Sequence, residues 1–288
     1  MLAARRPWPR DRPVTGVRAA VTLFTVLPLR GPERLDRATA GRAMLAAPAV
    51  GFGLGFVSAL VVLGTRVMTK TPGERPQTLL PAVVGLALIA ALTRGLHLDG
   101  LADVADGFGV RGGRERRLAV MRESTIGAFG AITLLFVVLL QASALSVAIT
   151  AHRGTVSILV AVMTSRLAAT WSCVEGIPAA RPDGLGALVA GTVRRRHALL
   201  ATGGVLVVAA LAGRFDFHGG DNGRAVRAVV AAAVGLAAAV VVRRWLARRL
   251  GGITGDTLGA TIEITVMVTL LTMAMTIPTP VLRLLDLD

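Results

Sequence analysis

The sequence predicts an all-α protein, a polytopic transmembrane helical bundle of about seven spans with an additional N-terminal interfacial or re-entrant helix. Three observations lead to this fold class. The chain has 288 residues, of which 53% are apolar, and its mean hydropathy is +0.66. Several stretches approach the roughly 20 apolar residues that a helix needs to cross a bilayer core. These stretches also lack the polar faces that helices of a water-soluble domain present to solvent.

The predicted elements follow the apolar stretches in chain order. A basic lead followed by a short apolar segment predicts the N-terminal helix at 17–29, with residues 1–16 as a flexible cytoplasmic tail. The spans are expected at 44–64, 79–95, 130–150, 156–174, 198–213, 228–247 and 262–280. Two of them, 79–95 and 198–213, are short for a full crossing. Together, residues 1–288 are expected to form a single integral membrane catalytic domain.

The distribution of basic residues indicates how such a bundle is oriented. The formal net charge is +15, but aromatic residues make up only 4% of the chain and the arginines lie between the spans, so we expect no nucleic-acid partner. Seven spans leave about 23 of the 32 Lys and Arg residues on one side of the lipid bilayer and about 8 on the other. The positive-inside rule makes the richer side cytoplasmic. On the opposite side, residues 214–224 are expected to form an exposed loop.

The segment TRGLHLDGLADVADGFG, residues 93–109, places three carboxylates at the end of an apolar span. Asp99, Asp103 and Asp106 are spaced i, i+4 and i+7, which puts them on one face of a helix. Carboxylates arranged in this way repel each other and need a compensating cation. No Lys or Arg lies between positions 95 and 110, and oxygen ligands suit a hard ion such as Mg²⁺. A solvated acidic helix end and an ion or proton pathway are the alternatives.

A second polar motif, MRESTIG at residues 121–127, lies on the same predicted cytoplasmic side. Arg122 can bind a phosphate bidentately, and Glu123 can supply a further oxygen ligand beside Ser124. Arginines at this position also serve as plain cytoplasmic anchors of a span. The motif alone therefore leaves both interpretations open.

Two further motifs place polar residues in apolar surroundings. Arg166, next to Ser165, falls within a predicted span, where an arginine is costly and normally faces a polar cavity unless it extends to the headgroups. The segment GGITGDTLGATIE, residues 251–263, combines a glycine-rich turn with Asp256 and Glu263. In contrast, the glycines of GFGLG at 51–55 lie mid-span without a preceding strand, so they predict close helix packing and no dinucleotide site.

Acidic groups for Mg²⁺ and arginines for phosphate, converging on one side of a helical bundle, indicate phosphoryl-type transfer. The metal would bridge the oxygens of a diphosphate. One of the carboxylates, or His97, could take the proton from an attacking hydroxyl. These residues indicate a type of reaction and a site but no substrate.

Four motifs taken in order, GLHLDGLADVADG, MRESTIG, TSR and GGITGDTLGATIE, resemble those of the cobalamin synthase family, the adenosylcobinamide-GDP ribazoletransferases. The resemblance extends from FTVLPLR near the N-terminus to the last predicted span. It implies a Mg²⁺-dependent transferase of the cytoplasmic (inner) membrane that acts late in cobalamin biosynthesis. The excess of Lys and Arg on the side of these motifs predicts that its active site faces the cytoplasm. Such an enzyme transfers adenosylcobinamide phosphate from adenosylcobinamide-GDP to the 5′-hydroxyl of α-ribazole, or of α-ribazole 5′-phosphate, and releases GMP. A homo-oligomer is left open.

The resemblance also assigns site residues by position, and the chemistry suggests their roles. Catalytic roles are predicted for Asp103, Asp106 and His97, metal binding for Asp99, Asp103, Asp106, Asp256 and Glu263, and binding of substrate phosphates for Arg122, Ser124, Ser165, Arg166 and Thr254. Asp103 or Asp106 is favoured as the base, with His97 as the rival. Two positions depart from the family's pattern: it commonly has Asp where this chain has Glu123, and Gly where this chain has Arg94.

Two other functions use the same residue types. DGLAD resembles the opening of the CDP-alcohol phosphotransferase signature, but Asp103 stands where that family has an arginine, and the acidic residues that follow in it are missing. An ion-coupled membrane transporter would use the same aspartates as cation sites.

Overall fold

The computed structural model describes residues 13–29, 31, 35–70 and 77–275, and within them the regular structure is helical. The helices are α1 (Pro13–Phe24), α2 (Arg37–Met68), α3 (Leu79–Leu92), α4 (Leu96–Gly109), α5 (Arg114–Val120), α6 (Ala128–Thr150), α7 (Gly154–Ser172), α8 (Gly184–Val189), α9 (Arg195–Arg214), α10 (Asn222–Leu250) and α11 (Gly255–Ala274). Among these residues, β-pairing is limited to two isolated bridges. The all-α prediction is confirmed. Most of the predicted tail at 1–16 lies outside the described residues.

Six helices (α2, α6, α7, α9, α10 and α11) are long and apolar enough to cross a membrane, and the bent pair α3–α4 brings the number to seven. This agrees with the predicted multi-pass bundle. The span expected at 198–213 belongs to a helix of 20 residues, long enough for a full crossing. The last helix begins at Gly255, seven residues before the span expected at about 262–280, and residues 276–280 lie outside the described part of the chain.

The helix expected at 79–95 ends at Leu92, and α4 continues at 89° to α3. The bend arises from two consecutive left-handed residues, Arg94 with φ 55° and Gly95 with φ 65°. The carbonyl of Leu92 accepts a hydrogen bond from the amide of Val26 at 2.8 Å. Residues 25–29 after α1 are not helical, so the N-terminal helix is shorter at this end than predicted. The bend turns α4 across one end of the bundle.

α7 is the central helix, with its residues buried almost throughout. Its closest partner is α2, and two glycines of the GFGLG segment allow the contact. A Cβ on Gly51 would lie 2.9 Å from the carbonyl oxygen of Val162, and one on Gly55 would lie 3.0 Å from Cα of Leu159. The predicted role of this segment in close helix packing is therefore confirmed for these two glycines. α9 and α10 bury little of their surface and leave apolar side chains for lipid contact.

The loops that carry the polar motifs meet at one end of the bundle, which we call the site end. Arg114 donates a hydrogen bond to the carbonyl of Ala180 at 2.8 Å, and Arg181 donates to the carbonyl of Leu118 at 2.7 Å. The amide of Ala180 donates to the carbonyl of Ile253 at 2.9 Å. These contacts fix α5, the loop after α7 and the start of α11 relative to one another.

The other end of the bundle, which we call the opposite end, contains the loop predicted to be exposed at 214–224. That prediction is wrong for Asp216, whose exposure is only 7%. Its carboxylate accepts a hydrogen bond from Arg224, and His218 Nδ1 lies 3.8 Å from it. The ion pair with Arg224, in the first turn of α10, therefore stabilises the buried carboxylate of Asp216.

Candidate active site

A cavity of about 490 Å³ opens at the site end. Side chains of α1 and α2, among them Phe24 and Met44, form an apolar part of its wall. The other walls come from α4, the loop before α8 and the start of α11. Its charged and polar lining residues are His97, Asp99, Arg122, Arg181, Asp183, Thr254 and Asp256. Anionic and cationic side chains thus share one cavity with an apolar wall.

Two glycines bring α4 against the first turns of α11. A Cβ on Gly100 would lie 2.8 Å from the carbonyl oxygen of Asp256, and one on Gly259 would lie 3.0 Å from the carbonyl oxygen of His97. Because the backbones touch, the acidic residues of both helices face the same region. Asp103 is within electrostatic range of Asp99 and Asp256, so three of the predicted metal ligands are neighbours.

Asp106 has a different environment from the other two aspartates of α4. One of its carboxylate oxygens accepts a hydrogen bond from the amide of Gly127 at 2.7 Å, and the other accepts one from the amide of Gly130 at 2.8 Å. Both donors belong to the start of α6, where backbone amides lack partners within the helix. Asp106 therefore caps α6, although it was predicted as a metal ligand or base.

Beneath the cavity lies a buried polar layer. Arg166 is fully buried and donates hydrogen bonds to Ser165 Oγ at 2.9 Å and to His97 Nδ1 at 3.4 Å. Glu263 is 8% exposed and accepts a hydrogen bond from Gln141 Nε2 at 2.9 Å. Of these residues only His97 lines the cavity. Ser165 and Arg166, predicted to bind phosphate, and Glu263, predicted to bind metal, lie one layer deeper.

Thr254 orients the first turn of α11. Its hydroxyl accepts a hydrogen bond from the amide of Thr257 at 3.1 Å and donates to Asp256 Oδ2 at 3.2 Å. The hydroxyl of Thr257 in turn accepts from the amide of Thr254 at 2.8 Å, which completes a capping box. Thr254 thus holds Asp256 at the cavity wall, which it also lines, and its contact with phosphate stays a prediction.

Arg122 lies at the mouth of the cavity, where it forms an ion pair with Asp183 at 2.8 Å. Both side chains are more than half exposed, so the pair contributes little to stability and can open to admit an anion. Ser124 is exposed in the turn that follows Arg122. The position of Arg122 is compatible with its predicted role.

Two charged residues of this cavity, Arg181 and Asp183, were not predicted from the sequence. Arg181 Nη1 lies 3.6 Å from Asp256 Oδ2. Both residues belong to PAARPDGLGA, residues 178–187, a glycine-containing loop with an arginine and an aspartate on the same predicted side as the other motifs. An arginine and an aspartate in a glycine-containing loop on that side could have identified both as candidate site residues. A Cβ on Gly186 would lie 2.5 Å from the carbonyl oxygen of Ile253, so this glycine permits the loop to contact the start of α11.

The described residues contain no group of three His, Cys, Asp or Glu side chains close enough to enclose a metal ion by themselves. Mg²⁺ does not need such a group, because it keeps several waters and is usually bound by one or two carboxylates together with substrate phosphates. Asp99 and Asp256 line the cavity and offer hard oxygen donors, with Arg181 as the nearby cation. This donor set fits Mg²⁺ bound together with a phosphorylated substrate.

Comparison with known proteins identifies relatives over nearly the whole chain. The family model described as cobalamin-5-phosphate synthase (CobS) matches residues 16–274. A protein of Frankia casuarinae is 64% identical over 272 residues, which cover 94% of this chain and 98% of its own. A protein of Nocardioides sp. is 37% identical, covering 80% and 98%, and one of Syntrophobacter fumaroxidans is 40% identical, covering 82% and 87%. All three relatives are named adenosylcobinamide-GDP ribazoletransferase. No solved structure matches the chain.

Proposed function

The chain belongs to the cobalamin-5-phosphate synthase family and is a transferase, and from this we propose that it is an adenosylcobinamide-GDP ribazoletransferase. It would transfer adenosylcobinamide phosphate to the 5′-hydroxyl of α-ribazole or of α-ribazole 5′-phosphate and release GMP. The observation that carries the proposal is the cavity at the site end. There, Asp99 and Asp256 face a shared space with Arg122 and Arg181, as binding of a metal-neutralised diphosphate requires.

The two arginines would bind the phosphates from different positions. Arg122 is exposed at the mouth and can exchange Asp183 for a phosphate oxygen, because an exposed ion pair costs little to break. Arg181 is more buried and lies beside Asp256, where it would contact phosphate and carboxylate together. Guanidinium groups suit this task because they bind phosphate bidentately. The apolar wall with Phe24 and Met44 is available for less polar parts of the substrates.

Asp99 and Asp256 would hold Mg²⁺, with Asp103 as their neighbour. Bound there, the ion would neutralise the charge that develops on the diphosphate. Thr254 keeps Asp256 at the cavity wall through its hydroxyl, and Gly100 keeps α4 close to Asp256. The carboxylate pair is therefore oriented by backbone packing before a substrate arrives, which lowers the cost of assembling the site.

In the reaction, the 5′-hydroxyl of the ribazole attacks the phosphorus on the cobinamide side of the diphosphate. A new phosphorus–oxygen bond forms, the bond to the GMP phosphate breaks, and GMP leaves with the bridging oxygen. We assign Asp103 as the base that takes the hydroxyl proton, because both oxygens of Asp106 already accept hydrogen bonds from α6. Arg122 and Arg181 stabilise the charge on the departing phosphate.

The same proposal places the site end at the cytoplasmic face of the inner membrane. The excess of Lys and Arg in the segments that meet there supports this orientation. Both substrates would then be taken from the cytoplasm. An ion-coupled transporter or a CDP-alcohol phosphotransferase would need the same aspartates, but the family match supports neither.

The test is an assay of the purified protein in detergent or nanodiscs with adenosylcobinamide-GDP, α-ribazole and Mg²⁺. We expect GMP and adenosylcobalamin in equal amounts, and α-ribazole 5′-phosphate as acceptor should give the phosphorylated product. Chelation with EDTA should abolish turnover, and added Mg²⁺ should restore it. GMP formation that does not depend on α-ribazole would indicate hydrolysis and contradict the transfer. Full activity in EDTA would contradict the metal site.

A further inference from the structure

Arg166 and His97 form a contact whose polarity can be assigned. The Arg166 side chain is fully buried in α7, and its Nη2 lies 3.4 Å from His97 Nδ1. A guanidinium group has only donors and keeps its proton in proteins. Glu263 lies within electrostatic range and stabilises its positive charge. Arg166 is therefore the donor, and Nδ1 of His97 must present its lone pair.

This assignment determines where His97 carries its proton. A neutral imidazole has one N–H and one acceptor nitrogen, so an accepting Nδ1 places the hydrogen on Nε2. A proton on Nδ1 would set two N–H groups against each other inside the protein, and a doubly protonated ring would add cationic repulsion from Arg166. The contact thus selects the neutral tautomer with Nε2–H.

Nε2 is the polar atom of His97 that remains for a ligand. Among the described residues, Nε2 has no hydrogen-bond partner. It is also absent from the fully buried polar atoms that lack a partner, so it is accessible from the cavity side. The His97 side chain lines the cavity that also contains Asp99 and Asp256. In the tautomer described above, this nitrogen can donate a hydrogen bond but cannot accept a proton.

We propose that His97 acts as a neutral hydrogen-bond donor to a phosphate oxygen of the bound diphosphate, and that Arg166 is the positioning residue that imposes its tautomer. This inference rests on the proposed function. It removes His97 from the candidates for the base and gives the buried arginine a task that does not require contact with substrate. The cost of burying Arg166 is offset by its hydrogen bonds and by Glu263.

The first experiment compares two amide replacements of His97 in the GMP-release assay. The glutamine amide nitrogen can occupy the position of Nε2, whereas the shorter asparagine amide reaches only the position of Nδ1. We expect H97Q to keep activity within about tenfold of the wild type, and H97N and H97A to lose about 100- to 1,000-fold, as for removal of one donor to a developing oxyanion. Equal losses in H97Q and H97N would overturn the donor role.

His197 provides the matched control. It lies on α9, away from the cavity-lining residues, and H197Q should retain wild-type activity. Thermal unfolding of each variant in the same detergent separates loss of fold from loss of the donor. A variant with an unchanged melting temperature and reduced turnover reports on the site itself.

The second experiment needs no turnover, so it still reads out if the proposed function fails. Nitrogen-15 NMR of histidine-labelled protein, purified with a tag that lacks histidine, distinguishes protonated from unprotonated ring nitrogens. The chain has four histidines, and the H97Q spectrum identifies the signals of His97. We expect an unprotonated Nδ1 and a protonated Nε2. A protonated Nδ1 would overturn the assignment.

The role of Arg166 is tested by two substitutions in the same NMR experiment. R166K keeps a cationic donor and should preserve the tautomer. R166M removes the donor at similar length, so the Nδ1-protonated form of His97 should appear. If R166M remains folded and the His97 signals are those of the wild type, Arg166 does not position His97.

Discussion

The two ends of the bundle both carry buried charge, but they use it differently. At the opposite end, the buried Asp216 is paired with Arg224, and nearer the surface Arg66 is hydrogen-bonded to His152 at 2.9 Å. Burial and the nearby Arg66 lower the pKa of His152, which favours its neutral form. The cavity there measures only about 10 Å³. Arg224 thus neutralises Asp216, and the cavity beside these side chains is too small for a ligand.

At the site end the charges remain only partly compensated. Asp99, Asp103 and Asp256 are mutual neighbours, and the nearest cationic group is Arg181, 3.6 Å from Asp256. A cavity of about 490 Å³ lies beside this cluster and is lined by Asp99, Asp256 and Arg181. Charge clusters that neutralise themselves serve stability, whereas a cluster that lacks counter-charge beside open space is suited to binding and chemistry.

The largest effect is expected from D103N at the site end. Loss of the base should reduce GMP release by about 100- to 10,000-fold, with little change in melting temperature because Asp103 has no hydrogen bond to lose within the described residues. The assay is steady-state GMP release with thermal unfolding as a parallel measurement. A D103N variant with wild-type activity would show that Asp103 is not the base, and that the charge cluster at the site end does not serve catalysis through this residue.

D216N should show the reverse behaviour at the opposite end. Removing one partner of the buried pair with Arg224 should lower the free energy of unfolding by about 2–3 kcal/mol, and turnover per folded molecule should be unchanged. The readouts are urea or thermal unfolding in detergent and activity well below the melting temperature. A variant that is stable but inactive would show that this end contributes to catalysis.

Asp106 lies at the site end, but D106N should affect stability more than activity, as D216N does at the opposite end. Because Asp106 caps α6 through Gly127 and Gly130, its replacement should destabilise the protein by about 1–2 kcal/mol. The activity loss should be much smaller than for D103N. Equal inactivation of D103N and D106N at unchanged stability would return Asp106 to the reaction.

The smallest effect is expected at the bend between α3 and α4. Arg94 has φ 55°, a left-handed conformation that costs a non-glycine residue about 1 kcal/mol. R94G should therefore stabilise the protein by up to about 1 kcal/mol. R94A, which removes the charge but keeps a Cβ, should not. Equal melting temperatures for R94G and R94A would show that strain at this position is negligible.

Much of this organisation follows from the sequence alone. Apolar stretches predicted the helices, and the i, i+4, i+7 spacing placed Asp99 and Asp103 on one face because periodicity is a local property of the chain. The resemblance pointed to the start of α11, including Asp256. It also indicated glycine at position 94, where the structure has a positive φ.

What the sequence could not predict depends on partners far away in the chain. The capping role of Asp106 requires the start of α6, 21 and 24 residues later. The burial of Arg166 beneath the cavity depends on how α7 packs against α2 and α11. Arg181 forms an ion pair with Asp256, which lies 75 residues later in the sequence. Spacing rules describe one helix at a time, so they assign residues to a face without showing what that face contacts.

The bend after α3 also has a consequence for the surrounding membrane. α3 has 14 residues and is about 21 Å long, whereas the hydrocarbon core of a typical bilayer measures about 30 Å. α3 alone is therefore too short for a full crossing, and a span built from the bent pair needs part of α4 or a locally thinner bilayer. Any hydrophobic mismatch at α3 therefore lies directly beside the helix that carries the aspartates of the site.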